Sequence, residues 1–266
     1  MKGYIYYEEE DALRNRWFID ELIKEGAANQ LVVELLTGDA DLPNDSTFVF
    51  YRGRDFVKSK RWEQEGFDVF NRSEVNRVAN DKLQTFQLAA LLGIPSIPSR
   101  QLDSAHDVHE YPIVIKTTDG HGGEEVHLCE ANAEVAAVIS RYPNRQLVMQ
   151  PYIEHNSSDV RLYLIGGDIV GAVNRTGSDS FKANVGLGGT AEQFDVPSPL
   201  REFAMKIAKA LKSDYIGVDF IQNAEGVWLL NEIEDPVGAR SLYETSEFNV
   251  AREVMRHIHK KLSKSL

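Results

Sequence analysis

The sequence predicts a small parallel α/β domain followed by antiparallel α+β lobes. Three observations carry this expectation. Strand-like and helix-like patterns alternate over residues 3–70, as they do where helices cross between parallel strands. Beyond that stretch, apolar strands are joined by tight polar turns, Gly166-Gly167 and Asn223-Ala224-Glu225-Gly226, which favour antiparallel hairpins. The first domain also lacks a G-x-G-x-x-G turn, so a dinucleotide-binding version of the α/β fold is a poor match.

Strands are expected over 3–7, 30–36, 47–51 and 67–70, with helices over 11–25 and 55–65, in a domain placed at 1–78. A helix over 74–92 follows, stopped by Gly93 and Pro95. The Pro- and Ser-rich stretch 94–100 reads as a connector. A strand over 113–116 then ends in Lys116 and leads through a glycine-rich turn to a strand over 125–128. A helix over 131–141 and a strand over 147–150 complete a central lobe placed at 79–150. The last lobe, 151–266, holds a hairpin over 160–165 and 168–174, a polar glycine-rich loop and a helix over 199–211. Paired strands over 215–222 and 227–234 and an amphipathic helix over 247–262 close it.

With 266 residues, 42% of them hydrophobic, the chain can bury a sizeable core divided between two or three lobes. No run of about eighteen apolar residues is present, so no membrane span is expected. The start runs into Glu8-Glu9-Glu10-Asp11, the wrong character for a signal peptide. A single cysteine, Cys129, fits a reducing compartment. A cytoplasmic location is therefore expected, and the Asn-x-Ser/Thr matches at Asn71, Asn156 and Asn174 read as chance. A formal net charge of −12 argues against a nucleic-acid surface. Lys58, Lys60 and Arg61, beside Glu63 and Glu65, read as a solvated helix face.

The most informative stretch is the pair of strands around Asp219, Glu232 and Glu234. Side chains two apart on a strand share a face, so Glu232 and Glu234 point the same way. A turn pairing Gln222 with Val227 places Asp219 opposite Leu230, with Glu232 its diagonal neighbour at roughly 7 Å. Three carboxylates on one face of two otherwise apolar strands repel one another. A hard divalent cation relieves this, and magnesium is the usual one beside phosphates; a solvated polar face is the alternative. Upstream, the strand Ile113-Val114-Ile115-Lys116 is followed by Thr117-Thr118-Asp119-Gly120-His121-Gly122-Gly123. Glycines there let backbone N–H groups approach an anion, and the lysine adds charge. It is not a Walker loop, because no Gly-Lys-Ser/Thr is present.

Read in order, these pieces resemble the ATP-grasp superfamily, and within it the RimK-like branch of ribosomal-protein glutamate ligases. The resemblance spans about 71–238. Its blocks are Asn80-Asp81-Lys82-Leu83-Gln84, Val114-Ile115-Lys116 with the glycine-rich loop, Gln150-Pro151-Tyr152-Ile153 and Ser158-Asp159-Val160-Arg161. Phe181-Lys182-Ala183-Asn184 with Gly188-Gly189, Gly217-Val218-Asp219 and Asn231-Glu232-Ile233-Glu234 complete the set. No single block is specific; their order and spacing are.

The resemblance implies an α/β domain ahead of α+β ATP-grasp lobes, and a ligase that uses ATP and magnesium to join a carboxylate to an amine. Lys82 and Lys116 would hold the α- and β-phosphates, under a lid containing Gly120, Gly122 and Gly123. The adenine would lie against Gln150, Pro151, Tyr152 and Ile153, and Asp159 would accept from the ribose hydroxyls. Arg161, Lys182 and Asn184 would face the γ-phosphate and an acyl-phosphate. Asp219, Glu232 and Glu234 would bind two magnesium ions, with manganese as an alternative. Glu234 departs from the usual Asn of the family, and Glu124 and Glu125 stand where small or apolar residues are usual.

Arg52 ends the strand over 47–51, and in open α/β sheets such strand ends face the ligand crevice. A bidentate grip on a substrate carboxylate is expected of it, with an exposed loop arginine as the alternative. Arg240, with Tyr243, and Arg175 are further candidates for the substrate site. His121 sits in the lid and reads as an exposed loop residue, with contact to phosphate as the alternative, and His106, His109, His257 and His259 lack the partners of a zinc site. The expected partners are ATP, a carboxylate and an amine, the last two from an amino acid, peptide or protein tail, with self-association left open. Rival functions are a kinase acting on a hydroxyl and a regulator that binds ATP without turnover.

Overall fold

The computed structural model describes residues 1–123, 125–155, 157–177 and 189–265. The chain opens with β1 (Lys2–Tyr7), α1 (Glu9–Arg14), α2 (Arg16–Ala28), β2 (Val32–Thr37), β3 (Phe48–Tyr51), α3 (Phe56–Gln64) and β4 (Asp68–Phe70). These strands form a four-stranded parallel sheet in the order β2-β1-β3-β4. Alternation along each strand covers both faces. Ile5, Tyr7, Phe48 and Phe50 pack toward α2. Tyr4, Tyr6, Val49 and Tyr51 pack around Trp62 of α3.

Two short helices, α4 (Ser73–Ala79) and α5 (Lys82–Leu91), lead to the middle sheet. It contains β5 (Arg100–Leu102), β6 (Ile113–Thr117), β7 (Val126–Cys129) and β8 (Leu147–Pro151), ordered β5-β8-β6-β7 and antiparallel. Helix α6 (Asn132–Arg141) covers one face through Val135 and Val138.

The third sheet is antiparallel and ordered β11-β10-β9-β12-β13. Its strands are β9 (Ser158–Ile165), β10 (Asp168–Thr176), β11 (Thr190–Gln193), β12 (Tyr215–Gln222) and β13 (Trp228–Glu234). On one face Leu162, Leu164, Ile216, Val218 and Phe220 pack against α7 (Ser198–Leu211) and against α4 and α5. On the other face Tyr163, Val173 and Tyr215 join the core containing α2 and α9 (Val250–Ser265). The short helix α8 (Arg240–Thr245) lies between them in sequence.

Several details differ from the sequence expectation. The helix over 74–92 is two helices, because Asp81 adopts an extended conformation and its carboxylate caps α5 through the N–H groups of Leu83 and Gln84. The helix over 11–25 is likewise split at Asn15. The carboxylate hairpin is shifted by a β-bulge between Asp219 and Phe220 on β12, where Asn231 is the extra residue on β13. Asp219 therefore lies directly opposite Glu232, not Leu230. β5, β11 and α8 were not anticipated; they are three to six residues long, too short for a clear periodicity. Among the described residues no helix is long and apolar enough to cross a membrane.

Candidate active site

A cavity of about 410 Å³ is lined by residues of all three sheets and their connections. Its polar wall is written across the third sheet. Arg161 on β9 is the register partner of Asp219 on β12, and Asp219 is the partner of Glu232 on β13. One step along, Tyr163, Gly217 and Glu234 form the next row. On the other side Asp159 is the partner of Arg175 on β10. Alternation puts Asp159, Arg161, Arg175, Asp219, Glu232 and Glu234 on the cavity wall, with Tyr163 on the same face but in the α2 and α9 core, while Val160, Leu162 and Val218 go to the α7 core.

The ion pairing is dense. Arg161 donates through Nε to Asp219 Oδ1 at 2.7 Å and through Nη2 to Asp219 Oδ2 and Glu234 Oε1, both at 2.6 Å. Arg175 holds both oxygens of Asp159 at 2.7 and 2.6 Å and also reaches Asp219 Oδ2 at 2.8 Å. Lys82, the first residue of α5, lies 3.0 Å from Glu232 Oε1 and also donates to the carbonyl of Gly120. Lys116 donates to Asn231 Oδ1 at 3.1 Å. The bulge turns Asn231 into the cavity beside Glu232, which makes that bond available.

Burial sets the electrostatics. It pushes Lys116 down to about 8, although Glu232 opposes the shift. Burial resists ionisation of Asp219, but Arg161 and Arg175 prevail and hold its carboxyl below the usual range. For Glu232 burial is likewise outweighed, by Lys82 and then Lys116, and the carboxyl is lowered. Glu234 goes the other way: burial raises it, with Glu232 and Asp219 adding to the rise against Arg161. Asp159 is raised to about 6 by burial despite Arg175.

Asp219, Glu232 and Glu234 each offer an oxygen within 4.8 Å of the others. Three carboxylate oxygens on one wall suit a hard divalent cation. Their mutual repulsion, however, does not by itself demand one. Arg161, Arg175 and Lys82 already neutralise the group, a compensation invisible from the two strands alone.

The structure gathers most of the expected nucleotide residues at this cavity. Gly120, Gly122, Gly123, Pro151, Tyr152, Ile153 and Asp159 all line it, with Gln150 buried and bonded to Ser99 Oγ at 2.8 Å. Lys182 and Asn184 lie outside the described residues, as does Glu124. Two substrate expectations change. Arg52 reaches the cavity wall, yet Nε donates to Tyr7 Oη at 3.1 Å and Nη2 to the Val237 carbonyl, among the rings of Tyr7, Phe18, Phe50 and Tyr215. Those bonds commit Nε and Nη2, while Nη1 is buried without a hydrogen-bond partner, so Arg52 is an enclosed arginine and not the exposed loop residue of the alternative. Arg240 is exposed and does not line the cavity, because α8 turns Ser241 and Leu242 inward instead. Tyr243 packs on Trp17 and bonds Asn249. Arg175 does line the cavity, held between Asp159 and Asp219.

Sequence reasoning missed the wall supplied by the first domain: Tyr7, Asp11, Arg14, Asn15 and Arg54. The rule that exposed Arg52, that carboxyl ends of parallel strands face the crevice, applies equally to Tyr7 at the end of β1. It could have found them.

The RimK-like ATP-grasp domain model matches residues 79–258. The chain belongs to the RimK-like ATP-grasp family. An uncharacterized protein of Mycoplasma genitalium is 28% identical over 98% of this chain and 93% of its own length. A probable alpha-L-glutamate ligase of Legionella pneumophila is 29% identical over 84% of this chain and 76% of its own. The structure of D-alanine–D-alanine ligase from Bacillus anthracis, complexed with ATP, superposes with a TM-score of 0.79 at 14% identity, covering 100% of this chain and 99% of that one. That last likeness places the ATP-grasp fold across all three sheets. The residues that the family model matches include the middle and third sheets.

Proposed function

We propose that this ATP-grasp ligase uses ATP and magnesium to couple a carboxylate to an amine through an acyl-phosphate, with amino acids or peptides as substrates. The observation that carries the reading is the cavity itself. It sets Lys82, Lys116 and Arg161, from three different elements, against Asp219, Glu232 and Glu234 on adjacent strands. A triphosphate competes for those three cations. As it draws on them, the carboxylates are less fully neutralised, and Asp219, Glu232 and Glu234 would hold magnesium through their oxygens. That metal, when bound, screens the phosphate oxygens and polarises the transferred phosphorus.

The chain's own residues account for the rest. Lys82 and Lys116 approach from α5 and β6 and fix the phosphates in line for transfer. Gln150, Pro151, Tyr152 and Ile153 form the crossover on which the base rests. A free carboxylate is a poor acylating agent because oxide would have to leave. Phosphorylation supplies a leaving group, and an amine then displaces it. Arg161 stabilises the charge that develops first at phosphorus and later on the tetrahedral oxygen. The loop through Gly120, Gly122 and Gly123 covers the site and excludes water from the intermediate. Arg175 keeps Asp159 and Asp219 oriented. Lys182 and Asn184 keep their expected roles beside the γ-phosphate as part of this proposal.

The deciding experiment is magnesium-dependent phosphate release from ATP across a panel of amino acids and short peptides, with Glu232→Gln as the control. Release that requires a particular acid and amine, and that is abolished in the variant, supports the ligase. Release with a hydroxyl acceptor and no hydroxamate on addition of hydroxylamine identifies a kinase. ATP binding with no release identifies a regulator.

A further inference from the structure

Two cavities meet at the glycine-rich loop. Beside the ligand cavity lies a second one of about 690 Å³, bordered by Phe56, Arg77, Asp81, Asn144 and Arg145. The two share Arg54, His121 and Glu125, and this common border is the neck. Arg54 is committed to Asp11 at 3.1 Å. Glu125 is committed to Thr117 Oγ1 and to Arg145, the latter at 3.0 Å. Among the described residues, the imidazole of His121 makes no hydrogen bond, so it is the one side chain of the neck with its nitrogens available to a ligand.

We propose that His121 is the general base that removes the proton from the amine substrate before it attacks the acyl-phosphate. The inference rests on the ligase reading. An amine reaches an enzyme of this kind as an ammonium ion, which has no lone pair with which to attack. At the neck the imidazole takes one proton from nitrogen. The freed pair forms the C–N bond, the bond from the acyl carbon to the phosphate oxygen breaks, and its electrons leave on phosphate. The second nitrogen proton departs with phosphate. His121 suits the task because it is neutral where it must accept. Burial first, then Arg54, hold it below the ordinary histidine value, with Lys82 adding to that lowering; Asp11 and Glu125 oppose it. The other two groups of the neck are an arginine, which cannot accept a proton, and a carboxylate already bonded to Arg145.

The test compares the full-length chain with its His121→Gln and His121→Asn variants, each supplied with ATP, magnesium and a panel of amino acids and short peptides as acids. Two nucleophiles are offered in turn: hydroxylamine, which is neutral at neutral pH and needs no base, and the amino-acid amines. The expected result is that amide formation in both variants falls by about 10²-fold or more, while hydroxamate formation and the melting temperature are unchanged. At saturating ATP, raising the pH, which deprotonates the amine in solution, closes the gap between the variants' amide rate and that of wild type at the same pH. The wild-type profile of kcat/KM for the amine carries an acid limb, on the acid side of the ordinary histidine value, that both variants lack. A parallel fall with both nucleophiles, a loss that persists at high pH, or no loss at all overturns the proposal. A wild-type chain that forms neither amide nor hydroxamate with any acid overturns the ligase reading itself, which is a separate and recognisable outcome.

Discussion

Arg161 grips Asp219 through two parallel bonds between neighbouring strands, Nε to Oδ1 at 2.7 Å and Nη2 to Oδ2 at 2.6 Å. The pair is nearly sealed from solvent, with side-chain exposures of 10% and 3%. Nη2 also bonds Glu234, so one guanidinium orients two of the three candidate metal ligands. Planar bidentate geometry of this kind is available to arginine and not to lysine.

Replacing Arg161 should therefore damage both fold and chemistry. Arg161→Ala leaves Glu234 without its cation and Asp219 with Arg175 alone, at a cost of about 3–5 kcal/mol, read as a lower melting temperature. Arg161→Lys restores a charge without the fork. It is expected to keep most of the stability while kcat falls by about 10²–10³-fold, the loss typical of a single transition-state donor. Steady-state kinetics beside thermal denaturation separates the two effects; equal kcat in Arg161→Lys and wild type contradicts the assignment.

Lys116 makes nucleotide binding sensitive to alkaline pH. Its ammonium is pushed down to about 8 by burial, so the free enzyme carries this charge below pH 8 and loses it above. kcat/KM for ATP should accordingly level off between about 6, where Asp159 titrates, and about 8, and fall as pH rises through the upper value. For the fold the sign is opposite: the unfolded chain holds the proton up to a higher pH, so this group's contribution to stability improves from about 8 toward 10.4. In Lys116→Arg the alkaline limb of kcat/KM should move out of the accessible range. An unchanged limb in that variant assigns it to another group.

Gly217 leaves room that a methyl group would fill. A Cβ there would come within 2.6 Å of Val237 Cγ2 and 3.3 Å of Glu234 Cβ. Gly217→Ala should displace β13 and the following loop, with a stability loss of about 1–3 kcal/mol. The magnesium concentration for half-maximal activity should rise, because Glu234 shifts with the strand. A titration that matches wild type argues that Glu234 does not contact the metal.

Arg52 behaves as a strut. It ties the ends of β1 and β3 to the loop after β13 through Tyr7 and Val237, and its guanidinium is buried among aromatic rings. Arg52→Met removes the charge and both bonds. The expected loss is about 2–4 kcal/mol, as for a broken buried polar network. The Michaelis constants of the acid and amine should stay close to wild type. A selective rise in one of them, with stability preserved, would return Arg52 to the substrate.

The sequence by itself determined the alternating first domain, the hairpins of the third sheet and the order of the ATP-grasp blocks, because these are local: strand period, turn residues and short motifs. The carboxylates and Lys116 were legible from strand period and loop composition, and Lys82, Asp159 and Arg161 through the order and spacing of the blocks; the structure brings them to one cavity. Tertiary structure alone decided how they pair. The bulge at Asn231 moved Asp219 from Leu230 to Glu232, and a one-residue insertion of this kind has no signature in hydrophobic pattern. The break at Asp81 looked like helix interior, since a carboxylate reads the same on a helix face as at a cap; only the N–H groups it meets distinguish them. Arg175 and Arg161 neutralise carboxylates up to 73 residues away in sequence, and Arg52 reaches Val237 across 185. Charges that far apart along the chain meet only when the sheets assemble, so a side chain's neighbours, and with them its charge state and task, are properties of the folded molecule.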